Sequence, residues 1–600
     1  MATTLKSNIM KLHLQRYGFD QLFLDTFERP TEMQLRNLEA LVDKLYEIRA
    51  RGEKILVLSD FDGDGIMSGI IGYAGLSELG FNVELYHPLP AAGYGIHFED
   101  IDRIMREHPD CKIILTADVG IGENAAITYA QQNGFRVLVT DHHIGKTDCA
   151  AELSVDPSAS GEAYDHKGIC GAHVLWMVLH NFAVKYESPV RISDIWRLRV
   201  FAGIATISDV MPLMYENRQL VRDAISIAQY YYTYDINDMG ITPPMYSQAY
   251  SMCFAGLKQL LWYFEKEGKI KRVEDITEHF FAFYLVPMLN AVKRMDGDMA
   301  ALYDIFFGQC VHADPDYPEM ACVDNAISYV ADLNEKRKLL VDEKYRELIE
   351  AMEKTKLGIP SEITKYADCN VYCMDIPGGI CGLIAVKVMN ATNMPCLVLY
   401  KNPDTGAWNG SGRSPAWFPF IDKTMADGFC KADGHNPAFG VKFESEADFD
   451  RYCEYYRANI APQREAAMAN MKDCSIHLTM GGYAKGFQVD FIFDPQEVRD
   501  FLDDEKLLHP YGQAFPDVEF KLLVPTIEYA EYFGTLKNHV KFITPDGSVE
   551  FLWFNSLVDF ELMLNKNTEG KAYELCGKFQ VNSYNGALNF IISDMAVCEG

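Results

Sequence analysis

Phe135-Arg-Val-Leu-Val-Thr140 runs directly into Asp141-His142-His143, so an apolar stretch ends in three consecutive side chains able to bind a metal. Its short, β-branched, apolar character predicts a buried strand. In an open α/β fold, the residues just past a strand lie at the carboxyl edge of the sheet, where such folds place their chemistry. Working outward, Lys54-Ile-Leu-Val-Leu-Ser59 reads as an earlier strand, followed by a Gly-rich turn and a helix over 66–79. Residues 81–86 and 112–116 read as two more strands, with helical patterns between them. This alternation predicts an α/β fold, a doubly wound parallel sheet over roughly residues 50–210.

The chain has 600 residues, too many for one core, and a length prior of roughly three or four domains applies. With 48% hydrophobic and 23% charged residues it has an ordinary globular composition. No window of about 18 uninterrupted apolar residues predicts a transmembrane helix. Met1-Ala-Thr-Thr-Leu-Lys lacks the apolar core of a signal peptide. The 15 cysteines include no Cys-x-x-Cys pair, so they read as reduced, mostly buried thiols, and a cytoplasmic location is expected. The net charge of −30 argues against a broadly basic, nucleic-acid-binding surface. It leaves room for a local basic groove and for an acidic site neutralised by metal cations.

Residues 1–50 read as an N-terminal helical segment, with Leu35, Leu38, Leu41, Val42, Leu45 and Ile48 on one face. The α/β pattern suggests a catalytic domain over 51–225. Residues 226–355 read as a helical connector, whose stretch 330–354 has neither Gly nor Pro and suits a long spacer helix. A second, smaller α/β pattern covers 356–470, with strands at 370–374 and 396–400 around a helix near 383–390. Residues 471–600 read as short alternating strands, including 487–493, 540–544, 549–554 and 577–581, consistent with a small β-barrel.

Carboxylates recur at element ends. The first strand enters Asp60-Phe-Asp62-Gly-Asp64-Gly65, an oxygen-rich turn suited to a hard divalent cation. An EF-hand would need Glu at its twelfth position, which is Ile71 here. A dinucleotide fingerprint needs tighter glycine spacing than Gly63, Gly65 and Gly69 provide. A haloacid-dehalogenase-type phosphatase would carry Thr where Asp64 stands, and no partner motifs follow. Further on come Asp118 before Gly120, then Asp141-His142-His143, then Asp209 at the end of an apolar helical stretch. Several carboxylates with one or two imidazoles suit a pair of Mn²⁺ or Mg²⁺ ions better than zinc. Two such ions are the natural equipment for phosphoester or phosphoanhydride hydrolysis.

These four motifs, in this order, resemble those of the DHH phosphoesterase superfamily, and within it the RecJ-type single-strand exonucleases. The resemblance extends to Asp156-Pro157, Ile169-Cys-Gly-Ala172, Pro287-Met-Leu-Asn-Ala-Val-Lys-Arg294, Gly410-Ser-Gly-Arg413-Ser414 and Asp433-Gly434-His435. His509-Pro-Tyr-Gly512 and Val581-Asn-Ser-Tyr-Asn-Gly586 resemble the edges of the family's OB-fold. It implies a DHH catalytic domain, a DHHA1-like substrate-binding domain and an OB-fold-like domain.

The resemblance also implies site roles. Asp62, Asp64, Asp118, His142 and Asp209 would bind two metal ions, Mn²⁺ or Mg²⁺, with Asp118 bridging and Asp60 beside them. Asp141 would orient an imidazole, and His143 would contact the scissile phosphate. Arg294, Arg413 and His435 would hold strand phosphates, a task that suits the arginine fork. Tyr584, Lys537, His539 and Lys541 are candidate strand contacts in the barrel.

The implied activity is exonucleolytic hydrolysis of single-stranded DNA, 5′ to 3′, releasing 5′-mononucleotides. A single-strand-binding protein or a helicase are the candidate protein partners. Small family members instead cleave short RNA oligomers or cyclic dinucleotides, but they lack the barrel. An inactive replication scaffold would be expected to have degraded metal motifs, and all four are present here. Three departures bear on substrate grip. Asp433 stands where the family has glycine, Met288 and Lys293 replace an arginine and a glycine, and Leu89-Pro-Ala-Ala replaces an Asn-Arg stretch.

Overall fold

The computed structural model describes residues 5–19, 23, 34–86, 95–145, 148–233, 246–308, 318–402, 406–469, 473–480, 489–525, 527, 529–534, 537, 539–543, 547–554, 556, 572–582 and 585–598. The chain divides into two compact units. One comprises Thr31–Met211 and Leu220–Met471. The other comprises Met1–Pro30, Pro212–Gln219 and Lys472–Gly600.

The larger unit begins with a five-stranded sheet of β1 (Lys54–Ser59), β2 (Asn82–Tyr86), β3 (Ile113–Ala117), β4 (Arg136–Thr140) and β5 (Leu153–Val155). The strand order is β2-β1-β3-β4-β5 and every pairing is parallel. Alternate side chains feed opposite faces, as a period of two requires. Ile55, Val57, Leu115 and Leu138 enter one core, while Leu56, Leu58, Ile114, Val137 and Val139 enter a second. Both faces are therefore covered, which is why these strands are apolar throughout rather than alternating. The order reverses between β1 and β3, which makes their carboxyl ends the topological switch point.

A second, mixed sheet has the order β6-β7-β8-β10-β9. Its strands are β6 (Val371–Cys373), β7 (Cys396–Lys401), β8 (Trp408–Arg413), β9 (Lys431–His435) and β10 (Ala438–Phe443). The helix Gly378–Thr392 packs on β7 and β8, and the long helix Pro318–Lys356 packs on that helix. The described residues of 226–355 are mainly helical, and the long helix extends beyond the 330–354 stretch at both ends.

The smaller unit is built on an eight-stranded sheet with strands β11 (Ile476–Thr479), β12 (Phe491–Ile492), β13 (Phe520–Val524), β14 (Tyr529–Phe533), β15 (His539–Ile543), β16 (Val549–Trp553), β17 (Ala572–Val581) and β18 (Leu588–Cys598). Their order is β12-β11-β13-β17-β18-β16-β15-β14. The expected N-terminal segment is shared between the units. The helix Leu38–Ala50 packs in the core of the parallel sheet. The helix Asn8–Arg16 places Ile9, Met10 and Leu14 in the core of the β-rich unit.

His13, on that first helix, is buried; its Nε2 lies 3.1 Å from the Pro516 carbonyl, and its Nδ1 has no hydrogen-bond partner among the described residues. Burial, opposed only in part by that carbonyl and Asp517, lowers its pKa below 6.5. The unfolded chain therefore takes up the proton first as pH falls. Stability is expected to be fully present above pH 6.5 and to decline below it. In thermal unfolding across that window, His13→Gln should show a shallower decline than the wild type.

Candidate metal centre

Three carboxylates reach the switch point because the sheet ladder continues one residue past three strands. The backbone N–H of Asp60 donates to the Ala117 carbonyl, that of Asp118 to Thr140 and that of Asp141 to Val155, at 3.4, 2.9 and 3.1 Å. This registers the residues after β1, β3 and β4 side by side at one edge. Asp118 adopts a left-handed backbone, φ +65°, which Asp tolerates better than most residues but which still carries strain.

The turn after β1 becomes the start of the helix Gly63–Glu78. Asp62 is its N-cap, with Oδ1 accepting from the N–H groups of Asp64 and Gly65 at 3.0 and 3.1 Å. Asp64 lies in the first turn and is buried. Its two oxygens accept from the N–H groups of Gly171 and Ala172 at 2.7 and 2.9 Å, the amino end of the helix Gly171–Tyr186. Asp209 is the C-cap of the helix Arg199–Ser208, so the helical reading of that segment matches its observed form.

His142 lies at the centre of the cluster. Its Nε2 is 3.2 Å from Asp118 Oδ1, 3.6 Å from Asp209 Oδ2 and 3.7 Å from Asp64 Oδ2. Two groups of potential ligands result: Asp64, His142 and Asp209, and Asp118, His142 and His143. Asp141 does not point into this cluster. One of its oxygens accepts from the Ile121 N–H, and the other accepts from the His142 and His143 N–H groups and stands 2.8 Å from His143 Nδ1. The imidazole it orients is therefore that of His143.

The electrostatics fit a divalent cation. Burial, followed by repulsion from neighbouring carboxylates, pushes Asp60 up to about 7 and Asp64 up to about 6. The same two causes hold Asp118 and Asp209 well above the usual carboxylate range. Among the described residues, Asp118 Oδ1 and Asp209 Oδ2 are buried without a hydrogen-bond partner; His142 Nε2 approaches both only at ion-pair distance, without hydrogen-bond alignment. Buried, repelled and unsatisfied oxygens are costly unless a positive charge joins them. Asp64, Asp118, His142 and Asp209 offer the oxygen-rich set, with one imidazole, that Mn²⁺ and Mg²⁺ accept. Bound there, such an ion would act as a Lewis acid toward water and phosphoryl oxygens.

The protein's own groups supply the rest. Asp141 stays ionised: burial raises its pKa, but the hydrogen bond and charge of His143, and the charge of His142, outweigh that and hold it below the ordinary value. His143, half-exposed, is driven the other way. Burial would lower it, yet Asp141, with the charges of Asp209 and Asp62, lifts it to about 10. A cationic imidazole beside the carboxylates is suited to contact an anionic oxygen.

Elsewhere in this unit, Lys293 Nζ lies 4.5 Å from the centre of the Phe61 ring, within the field of Asp62 and Asp60. Here the departure from the family's glycine brings a cation to the turn after β1. Arg413 ends β8, with one nitrogen donating to the Gly412 carbonyl at 2.7 Å, and Arg294 ends the short helix Ala291–Arg294.

His435 ends β9, but its side chain and that of Asp433 lie outside what the structure describes, as do Tyr584 and residues 89–92. In the β-rich unit, His539 meets Phe533 and Phe554 at ring distances of 5.1 and 5.3 Å, and Lys537 is exposed. Lys541 pairs with Glu550 at 3.0 Å, which satisfies its charge internally. The Gly171 and Ala172 amides were not singled out from sequence as functional. The signal available was a glycine immediately preceding an apolar helical run.

Two family models match the chain. The DHH family N-terminal domain covers residues 54–204, and the RecJ OB domain covers residues 489–594. The chain thus carries a DHH N-terminal domain and a RecJ OB domain. Among its relatives, the single-stranded-DNA-specific exonuclease RecJ of Bacillus subtilis is 24% identical over 98% of this chain and 67% of its own length. The Escherichia coli protein of the same name is 26% identical over 69% of this chain and 67% of its own length. The crystal structure of RecJ from Thermus thermophilus in complex with Mn²⁺ superposes with a TM-score of 0.68 at 21% identity. That match covers 99% of this chain and 76% of the other, and shows the shared fold. Among the described residues, no helix is long and apolar enough to cross a membrane.

Proposed function

We propose that this chain is a metal-dependent exonuclease that hydrolyses single-stranded DNA from its 5′ end and releases 5′-mononucleotides. The observation that carries the reading is His142 Nε2 standing 3.2–3.7 Å from oxygens of Asp64, Asp118 and Asp209, two of which are buried with no hydrogen-bond partner among the described residues. Relatives across the chain are named single-stranded-DNA-specific exonucleases, and the matched Thermus thermophilus structure is a complex with Mn²⁺.

In this reading two divalent ions, Mn²⁺ or Mg²⁺, are held by Asp62, Asp64, Asp118, His142 and Asp209, with Asp60 beside them. His143, oriented by Asp141, contacts the scissile phosphate. Arg294, Arg413 and His435 hold phosphates of the strand. The chemistry belongs to residues 51–225, with 356–470 gripping the strand. Exposed rings such as Phe554 suit 471–600 to base stacking. A cytoplasmic location and a single-strand-binding protein or helicase as partner belong to the same proposal.

The test compares 5′- and 3′-labelled single-stranded DNA, double-stranded DNA, RNA and dinucleotides with Mn²⁺. The expected result is stepwise release of mononucleotides from the 5′ end of single-stranded DNA. Long strands left intact while dinucleotides or short RNA are cleaved would replace this reading with that of a small-substrate phosphodiesterase.

A further inference from the structure

Arg337 lies on the long helix Pro318–Lys356, in a stretch whose sequence suggests only a charged spacer. The packing gives it a different setting. The short helix Ala291–Arg294 packs against both the long helix and the helix Gly378–Thr392, and the latter packs on β8. The register is close. The Asp298 N–H donates to Tyr329 Oη at 2.9 Å, and a Cβ on Gly297 would stand 2.5 Å from Leu333 Cδ1. Arg337 is one helical turn beyond Leu333 on the same face. On the other side, a Cβ on Gly379 would lie 2.4 Å from the Arg294 carbonyl oxygen, and one on Gly382 would lie 2.5 Å from a guanidinium nitrogen of Arg413. The glycine face of one helix thus lets Arg294 and Arg413 approach it, while the long helix brings Arg337.

Among the described residues, none of these three arginines pairs with a carboxylate, and the Arg294 guanidinium has no hydrogen-bond partner either. Arg337 is held locally, with Nε and one terminal nitrogen donating to Asn334 Oδ1 at 3.1 and 2.9 Å. That bond fixes one edge of the fork and leaves the other terminal nitrogen for a ligand. The charges agree with the packing. Burial, then the nearby Arg337 and Arg413, lowers Arg294 to about 10, and burial lowers Arg337 and Arg413 as well. Three desolvated cations with no direct ion pair among the described residues call for an anion with several oxygens.

We propose that Arg337 completes a three-arginine phosphate site with Arg294 and Arg413. The inference rests on the nuclease reading above. The shared chemistry is a phosphate group, either internal to the strand or at its 5′ terminus. A local Asn334–Arg337 pair that merely stabilises its helix would have no effect on how salt modulates binding.

The experiment measures kcat, KM and the salt dependence of KM for wild type, Arg337→Gln and Arg337→Lys, with Mn²⁺. The substrates are one single-stranded DNA oligomer bearing a 5′-phosphate and the same oligomer bearing a 5′-hydroxyl. Arg337→Gln is expected to raise KM about tenfold, with kcat changed far less, and to reduce the salt slope by about 0.7, the value for one phosphate contact on a single strand. Arg337→Lys should restore the slope but only part of the KM, because an ammonium lacks the planar fork. A KM change confined to the 5′-phosphorylated strand assigns the site to the terminus, and an equal change on both strands assigns it to an internal phosphate. A KM and salt slope equal to wild type, or a uniform loss of kcat with a lowered Tm, overturns the proposal. A wild-type protein that leaves both strands intact overturns the nuclease reading itself, a distinct outcome.

Discussion

Asp118→Asn is expected to lower kcat by about 10³-fold or more, the scale set by removing a preorganised charged group from a water-poor site. Its Tm without metal should be no lower than that of the wild type. The two expectations have one cause. Asp118 is buried, strained at φ +65°, and repelled by Asp64, Asp62, Asp60 and Asp141. An amide of the same shape removes the repulsion without creating a cavity, while removing the negative oxygen that faces His142 Nε2 at 3.2 Å. A saturating divalent ion that binds only the folded wild type should raise its stability by about 2.7 kcal/mol at one hundred times Kd, and the variant should lose most of that gain. Thermal unfolding with and without Mn²⁺, alongside kcat on single-stranded DNA, reads both. A kcat within tenfold of wild type would place the chemistry elsewhere.

Gly171→Ala is expected to cost about 10²-fold in kcat without replacing any proposed ligand. A Cβ there would stand 2.5 Å from Asp118 Oδ1 and 2.7 Å from Asp118 Cα, closer than packed atoms allow. The obstructing atoms include backbone, so either Asp118 or the amino end of the helix Gly171–Tyr186 must move. That end also donates the Gly171 and Ala172 N–H groups to Asp64, so the displacement reaches two carboxylates at once. A shift of about 1 Å in such a constellation can cost about 10²-fold. Overpacking should also cost about 1–3 kcal/mol of stability. Kinetics and denaturant unfolding of the purified variant check both numbers. Wild-type kcat in a folded variant would show that Asp118 and the helix end are not held in this close contact.

Much of this centre was legible in the sequence because it depends on local order. The strand at 54–59 begins and ends where its apolar run does, and the carboxylate residues follow their strands directly. The order β2-β1-β3-β4-β5 was not legible in the residues, since pairing partners lie far apart in sequence. Asp141 could be read as orienting an imidazole, but whether it served His142 or His143 depends on side-chain direction at a strand end, and the structure shows His143. Gly171 reads locally as a helix start, and only the fold shows that Asp118 leaves no space for a side chain there. The helix Asn8–Arg16 has a readable apolar face, but its partner strands begin more than four hundred residues later. Arg337 was obscured by its surroundings, because a charged helix looks solvated until its neighbours are known.

The most direct measurement is nucleotide release from 5′-labelled single-stranded DNA as Mn²⁺ is titrated into metal-free protein, wild type beside Asp118→Asn. The expected result is activity in the wild type that rises from none and saturates with the ion, with almost none in the variant at any concentration. Hydrolysis without added metal, or hydrolysis that survives the substitution, would contradict a metal centre built on Asp118 and His142.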